Sequence, residues 1–189
     1  MAYTDIDICS NALIRIGGSS ISSFEESTAE AEVAKNLYSI IKNSLISSYP
    51  WNFALRQQKL NKLEEAPIAD FQYAYFLPTD CLRVISAGYD NRTRGLSYVI
   101  SENKLYSNVN DIVIQYVASV EEESMPSFFV EMLIGKLASD FCLSLTESTS
   151  RAEFLLKRFE DDFKRAKLID AQQSTTKTFE DFSLIDVRG

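Results

Sequence analysis

The sequence predicts an α+β protein: a helical bundle built from N- and C-terminal helices, with a central β-rich insertion and an extended C-terminal arm. Three observations predict it. Apolar residues recur at three- and four-residue steps before Pro50 and again after Pro126. Between Trp51 and Val120 the chain is instead rich in aromatic and β-branched residues, with strand-like alternation. A polar run, "AQQSTTKT", then separates the last helix from an apolar terminal segment, "FEDFSLIDVRG". The expected divisions are residues 1–53 and 121–172 for the two parts of a helical domain, 54–120 for a β-rich domain and 173–189 for the arm.

Thr4 is placed to cap the first helix, with Asp7 at the third helical position. Ile6, Ile8, Cys9, Ala12, Leu13 and Ile16 follow at helical spacing, and Gly17-Gly18 stops the helix. Ser27-x-x-Glu30 reads as a capping box for a second, longer helix. Its apolar stripe is Val33, Leu37, Ile40, Ile41 and Leu45. Pro50 disfavours helical geometry at Tyr49 and ends it.

Strands are expected within Phe71–Pro78 and Asp80–Tyr89. Leu96–Ser107 reads as a hairpin turning at Ser101-Glu102-Asn103, and Asp111–Val120 is the clearest strand. Ile112, Ile114 and Tyr116 face one way along that strand, and Val113 and Val117 the other. Both faces are apolar, which predicts a central strand. Pro126 suits the first turn of a third helix carrying Phe129, Met132, Leu133, Leu137, Phe141 and Leu145. Ser150-x-x-Glu153 reads as a further capping box. The last helix carries Ala152, Leu155, Leu156, Phe159, Phe163, Ala166 and Ile169. In the terminal segment Phe179, Phe182, Leu184, Ile185 and Val187 are apolar anchors behind a polar spacer. Docking on the chain's own body and docking on a partner both fit that pattern.

Composition excludes several classes of chemistry. The 189 residues contain no histidine and three separated cysteines, Cys9, Cys81 and Cys142. Ser-His-Asp and Cys-His catalysis therefore cannot operate, and zinc sites lose their commonest ligand. No cofactor is expected. The net charge of −8 disfavours a broad nucleic-acid grip. No apolar run approaches the ~18 residues of a membrane helix. The first residues lack a basic region followed by an apolar stretch, so synthesis in a cytoplasm is expected.

Adjacent carboxylates occur at Glu25-Glu26, Glu64-Glu65, Glu121-Glu122-Glu123 and Asp161-Asp162. Sequence neighbours rarely span the ~5 to 9.5 Å cleft that glycoside hydrolysis needs, so solvated charge is the plainer reading. Arg92 and Arg94, in the turn "DNRTRG", are either solvated or contact a partner or DNA. The aromatics Tyr49, Trp51, Phe53, Phe71, Tyr73, Tyr75 and Phe76 gather around the helix-to-strand transition. The expectation is a core that welds the two parts, with Tyr49, Pro50, Trp51 and Phe53 fixing the angle between them.

Several stretches, in order, carry a resemblance. They are Asn-Ala-Leu-x-x-x-Gly (Asn11 to Gly17), then an Ile, a helix opening at Ser27, Tyr38, and Pro50-Trp51-x-Phe53-Ala54. "YFLPTDCLRV", "ENKLYSNVNDIVIQYV" and "MPSFFVEMLIGKLASDFCLSLTES" follow. Together, over residues 5–172, they resemble the head-to-tail adaptor family of short-tailed bacteriophages, also called tail tubular protein A. The resemblance implies a structural protein and not an enzyme, made in the host cytoplasm and placed in the virion tail. It implies a dodecameric ring beneath the portal protein, joined below to the tail nozzle protein and neighbouring tail fibres, with DNA passing through without sequence-specific binding. It assigns portal gripping to the C-terminal arm, here Phe179, Phe182, Leu184, Ile185, Val187 and Arg188. Two other readings stay open at the sequence level: a tail-associated peptidoglycan hydrolase, and a neck completion protein of a long-tailed phage.

Overall fold

The computed structural model describes residues 3–65 and 67–174. The architecture is mixed α+β. Among the described residues there are four α-helices and two three-stranded antiparallel sheets. The first helix, α1 (Asp5–Arg15), opens as expected. Thr4 Oγ1 accepts from the Asp7 amide at 3.1 Å, and the Thr4 amide donates back to Asp7 Oδ2 at 3.0 Å. It closes through the two glycines. Gly17, at φ +81°, donates to Ile14 O, and the Gly18 amide donates to Leu13 O at 2.9 Å. Those are the two bonds of a Schellman turn, which needs a left-handed residue at this position.

The second helix, α2 (Ala29–Ser48), is capped by Thr28 and not by Ser27. Thr28 has the extended backbone of a cap, and its Oγ1 accepts from the Ala31 amide at 3.2 Å. Glu30 falls one position too early to return the bond. The buried face is also rotated from the expected stripe. Ala31, Ala34, Tyr38, Ile41, Leu45 and Ile46 are buried, whereas Ile40 is 68% exposed. Two alanines let the helix approach its neighbours closely, so the small residues define the inner face. At Tyr49 the backbone turns extended (φ −139°, ψ 148°), as the following proline requires.

A single 3-10 turn (Asn52–Ala54) leads into β1 (Leu55–Lys59). The strands β2 (Tyr73–Phe76), β3 (Cys81–Gly88), β4 (Val99–Ser101), β5 (Lys104–Ser107) and β6 (Val113–Ala118) follow. One sheet has the order β1-β6-β3 and the other β2-β5-β4. Strand β6 is therefore central, as its two apolar faces predict. Val117 joins the helical core, while Ile114, Tyr116 and Ala118 join a second core shared with Tyr75 and Leu105. The β4–β5 hairpin turns on Glu102 (φ 50°) and Asn103 (φ 58°), the paired left-handed conformation of a tight two-residue turn.

Helix α3 (Ser127–Thr146) starts one residue after Pro126, which occupies the cap position. It packs against α1, α2 and α4 (Thr149–Ala171), while α2 also touches β3 and β6. Phe129, Met132, Leu133, Leu137 and Phe141 of α3 are all buried. Helix α4 begins at a Ser148 cap that makes no side-chain bond. The Ser150-x-x-Glu153 box is not formed, because Ser150 already lies in the first turn. Ala152 and Ala166 of α4 are buried, Leu155, Phe159 and Phe163 pack partly against the core, and Leu156 is exposed.

Candidate functional site

The junction after α2 is built around the single tryptophan. Trp51 is completely buried, and its Nε1 donates to Leu45 O, in the last turn of α2, at 3.1 Å. Its ring meets Tyr49 at 4.9 Å and Phe53 at 6.2 Å, centroid to centroid. Phe128 and Phe129 of α3 lie at 6.4 and 5.3 Å, and Phe163 of α4 at 5.9 Å. The direct ring partners thus come from the junction and from two helices. The sheet enters the same core through Val117, with Leu55 and Leu82 packed against it. The seven aromatics expected to cluster do not form one group. Tyr49, Trp51 and Phe53 belong to the helical core and Tyr73 and Tyr75 to the second core, while Phe71 meets the Tyr106 ring at 6.2 Å and Phe76 is 57% exposed. Strand alternation separates them, since Tyr75 and Phe76 point to opposite faces of β2.

Next to Trp51 lies a contact that sequence reading missed. The Asn52 amide donates to both carboxylate oxygens of Asp170 at 3.1 Å, and Asn52 Nδ2 donates to Asp170 O at 2.7 Å. Asp170 is 1% exposed. Burial raises its pKa, against the opposing pull of the Asn52 bonds. The end of α4 is thereby tied to the α2–β1 junction. Lys167 adds its ammonium over the rings of Phe163 (4.8 Å) and Tyr49 (5.9 Å).

A second polar cluster joins α2 to the segment before α3. Glu122 Oε1 accepts from Lys42 Nζ at 2.7 Å and from Tyr38 OH at 2.9 Å. The Lys42 and Glu122 side chains are only 13% and 16% exposed. Burial works to raise the Glu122 pKa, but the bonds from Lys42 and Tyr38 outweigh it and hold the carboxyl below its ordinary value. Burial pushes the Tyr38 hydroxyl up, and its bond to Glu122 adds to that. Burial also pushes the nearby Cys9 thiol up to about 12 and Cys81 up to about 11, so neither is an activated nucleophile.

Of the other adjacent carboxylates, Glu25, Glu26 and Asp161 are also engaged, whereas Glu64 and Glu65 are exposed with no ion-pair partner among the described residues. Glu26 Oε1 accepts from the Ser22 amide and hydroxyl at 2.7 and 2.6 Å, and these bonds lower its pKa. Glu25 pairs with Lys35, and Asp161 with Lys164. Among the described residues no group of three or more His, Cys, Asp or Glu side chains is placed to hold a metal. Arg92 and Arg94 lie exposed on the loop between β3 and β4. That loop folds tightly over Gly88, where a Cβ would come within 2.6 Å of the Arg94 amide nitrogen and 2.7 Å of its carbonyl oxygen. Phe179, Phe182, Leu184, Ile185, Val187 and Arg188 lie outside the described residues.

Two concave surfaces complete the picture. A groove of about 780 Å³ lies on the outer face of the β2-β5-β4 sheet, beneath the segment after β1. Ala74, Phe76, Val99 and Tyr106 form its floor, and Glu64, Glu65 and Glu102 stand at its rim. A smaller cleft of about 330 Å³ lies between α1, α3 and α4, lined by Arg15, Arg151, Arg158, Phe154, Leu155 and Phe159. Neither surface was anticipated, since each joins residues far apart in sequence.

No helix among the described residues is long and apolar enough to cross a membrane. No protein-family model matches this chain, and no curated protein matches it.

Proposed function

We propose that this chain is a virion structural protein, a head-to-tail adaptor that joins a portal to a tail nozzle and surrounds the DNA path. The observation that carries the reading is the ordered resemblance across residues 5–172, several members of which have a clear physical task. The Asn11–Gly17 stretch ends in the left-handed Gly17 that closes α1. Pro50-Trp51-x-Phe53-Ala54 ends α2 and supplies the fully buried Trp51. The Tyr-containing strand is β6, central to its sheet. The finer arrangement belongs to the same proposal: N- and C-terminal helices close one bundle, the β-rich unit is an insertion within it, and Tyr49 to Phe53 set the angle between the two. One end would then meet the portal and the other the nozzle.

In this reading the partners are a portal protein, a nozzle protein and further copies of the chain in a dodecameric ring. The terminal segment Phe179–Gly189 grips the portal. The charge of −8 per chain keeps the ring from holding the DNA that passes through it. Electron microscopy of the protein mixed with cognate portal rings tests this. Added density of the portal's own symmetry, lost when Phe179–Gly189 is deleted, is the expected result. Portal rings that gather no density would overturn it, as would cell-wall clearing in a zymogram that depends on one carboxylate.

A further inference from the structure

Among the described residues the two sheets have four edges, and three of them are covered or guarded. Strand β1 is polar, mostly exposed and carries Arg56 and Lys59. Strand β3 pairs with two register shifts, which turn an edge away from further strands. Beyond β2 the chain supplies its own cover: Lys62 bridges to Tyr75, and the Leu63 amide donates to Ala74 O at 2.8 Å. The fourth edge, β4, is guarded only by its shortness. Val99, Ile100 and Ser101 are all exposed, with no proline, charge or register shift among them.

The register shows what this edge lacks. Tyr75, Leu105 and Ile100 form one cross-strand row on the inner face of the sheet. Tyr75 and Leu105 are completely buried, yet Ile100 is 44% exposed, because the sheet stops there. Ser101 and Lys104 close the two-residue turn as a bonded pair, so alternation points the Ile100 N–H and C=O away from β5. No backbone bond from outside the ladder reaches them among the described residues. On the outer face, the rows Ala74–Tyr106–Val99 and Phe76–Lys104–Ser101 floor the acid-rimmed groove. Glu64, Glu65 and Glu102 at its rim have no ion-pair partner among the described residues, and Lys104 is the one cation of the lining.

We propose that β4 is a docking edge for an extended, basic segment of another protein, which joins this sheet as a fourth strand. The residue opposite Ile100 is apolar, points inward and continues the Tyr75–Leu105–Ile100 row. Its two neighbours turn outward beside Val99 and Ser101, and are Lys or Arg facing the rim carboxylates. Charge selects against the occupants nearest to hand. A second copy brings a further −8 and the same acidic rim. The chain's own terminal segment, Phe179–Gly189, carries Glu180, Asp181 and Asp186 against the single cation Arg188. The edge and its rim stand independently of the adaptor reading.

The test uses the full chain, isotope-labelled, with the peptide acetyl-KVKVKVK-amide followed by NMR and amide exchange. In the protein alone the Ile100 amide should exchange freely, and bound peptide should protect it. Binding should weaken as salt rises. The same peptide with its valines N-methylated should bind at least about 10-fold more weakly, because the ladder bonds to Ile100 are lost. Acetyl-EVEVEVE-amide should not bind, and Glu64→Lys with Glu65→Lys should weaken the basic peptide at least about 10-fold. Ile100→Pro removes the outward N–H but leaves the bonds to β5, so it should weaken binding by a similar factor with little change in the melt. Failure of the basic peptide to protect Ile100 would overturn the proposal. Equal binding of the N-methylated peptide would do the same, since charge alone would then explain the contact. So would an Ile100 amide already protected in the protein alone: a second copy holds the edge if that protection depends on concentration, and the chain's own terminal segment if it does not. Portal binding is read separately, so either proposal can fail while the other stands.

Discussion

Replacing Trp51 with alanine should be among the most damaging single substitutions in this fold. The side chain is completely buried and meets five aromatic rings, at centroid distances from 4.9 to 6.4 Å. Truncating an aromatic of this size to alanine in a packed core costs roughly 3 to 5 kcal/mol, through lost burial and the cavity left behind. The indole N–H also satisfies Leu45 O, one of the last carbonyls of α2. Losing that donor adds about 1 kcal/mol. A total near 5 kcal/mol compares with a whole-domain stability of about 5–15 kcal/mol. At this chain length each kcal/mol lowers the melting temperature by about 2–4 °C, so a fall of roughly 10–20 °C is expected. Trp51→Phe keeps most ring contacts and should lose about 2 kcal/mol. Urea unfolding followed by far-UV circular dichroism measures both, because the alanine variant has no tryptophan signal. A Trp51→Ala loss below about 1 kcal/mol would refute the packing argument.

Lys42→Met should leave Glu122 buried without its cation and cost about 3 kcal/mol, read as a lower urea midpoint. The Glu122 pKa is depressed, so its stabilisation is present above the ordinary value of 4.5 and is lost as pH falls through the lower folded value. Lys42→Met should flatten that part of the acid-unfolding curve, and an unchanged curve would count against the assignment. Asp170 has the opposite sign. Its raised folded pKa means that its contribution is most favourable below the ordinary 3.8 and declines as pH rises through the folded value. Carboxyl-carbon NMR should place its midpoint above 3.8, and a midpoint at or below that would exclude net desolvation as the dominant effect. Cys9 and Cys142 are fully buried, and burial holds the Cys9 thiol at about 12. Thiol reagents should label them only after denaturant is added, and fast labelling of the native protein would contradict that burial. Gly88→Ala should destabilise the β3–β4 loop, because the new methyl meets backbone atoms of Arg92 and Arg94. A melt equal to wild type would show that the loop yields at no cost.

The α+β class and the central strand β6 were legible because periodicity reports burial directly. The caps were legible only in part. Thr4 with Asp7 works because both partners stand at the right offset. Ser27 with Glu30 and Ser150 with Glu153 have the same spacing but lie out of register with the true helix starts. Which of several neighbouring hydroxyl residues becomes the cap depends on where the helix can begin against its tertiary neighbours, and short patterns do not contain that. The α2 stripe erred for a related reason. Hydrophobic weight favoured Ile40, whereas close packing selected the smaller Ala31 and Ala34. Strand β1 escaped detection because "LRQQK" is polar and mostly exposed, its strand state coming from the ladder with β6. The groove, the cleft and the Asn52–Asp170 contact were illegible in principle. Each depends on residues brought together only by the tertiary fold.

The polar groups share a location that bears on function. Glu26 closes the loop between α1 and α2 on Ser22 and Ser23. Glu122 holds the β6–α3 connection to α2 through Lys42 and Tyr38. Asp170 ties the end of α4 to the α2–β1 junction, and Arg151 ties the start of α4 to the end of α1. Each is a connection between elements, where a chain has the most freedom to move. A partly buried carboxylate with fixed donors at such a point has one low-energy geometry, because shifting the connection would strand the charge. Glu26 and Glu122, two of the adjacent carboxylates that might have suggested acid–base chemistry, are therefore better accounted for as fixtures of the chain path. That distribution suits a protein whose task is to hold two surfaces at a set angle. It also yields a discriminating expectation: if the adaptor reading holds, Lys42→Met and Trp51→Phe should reduce portal binding only in proportion to their loss of stability. A variant as stable as wild type that still failed to bind would place a direct contact at its site.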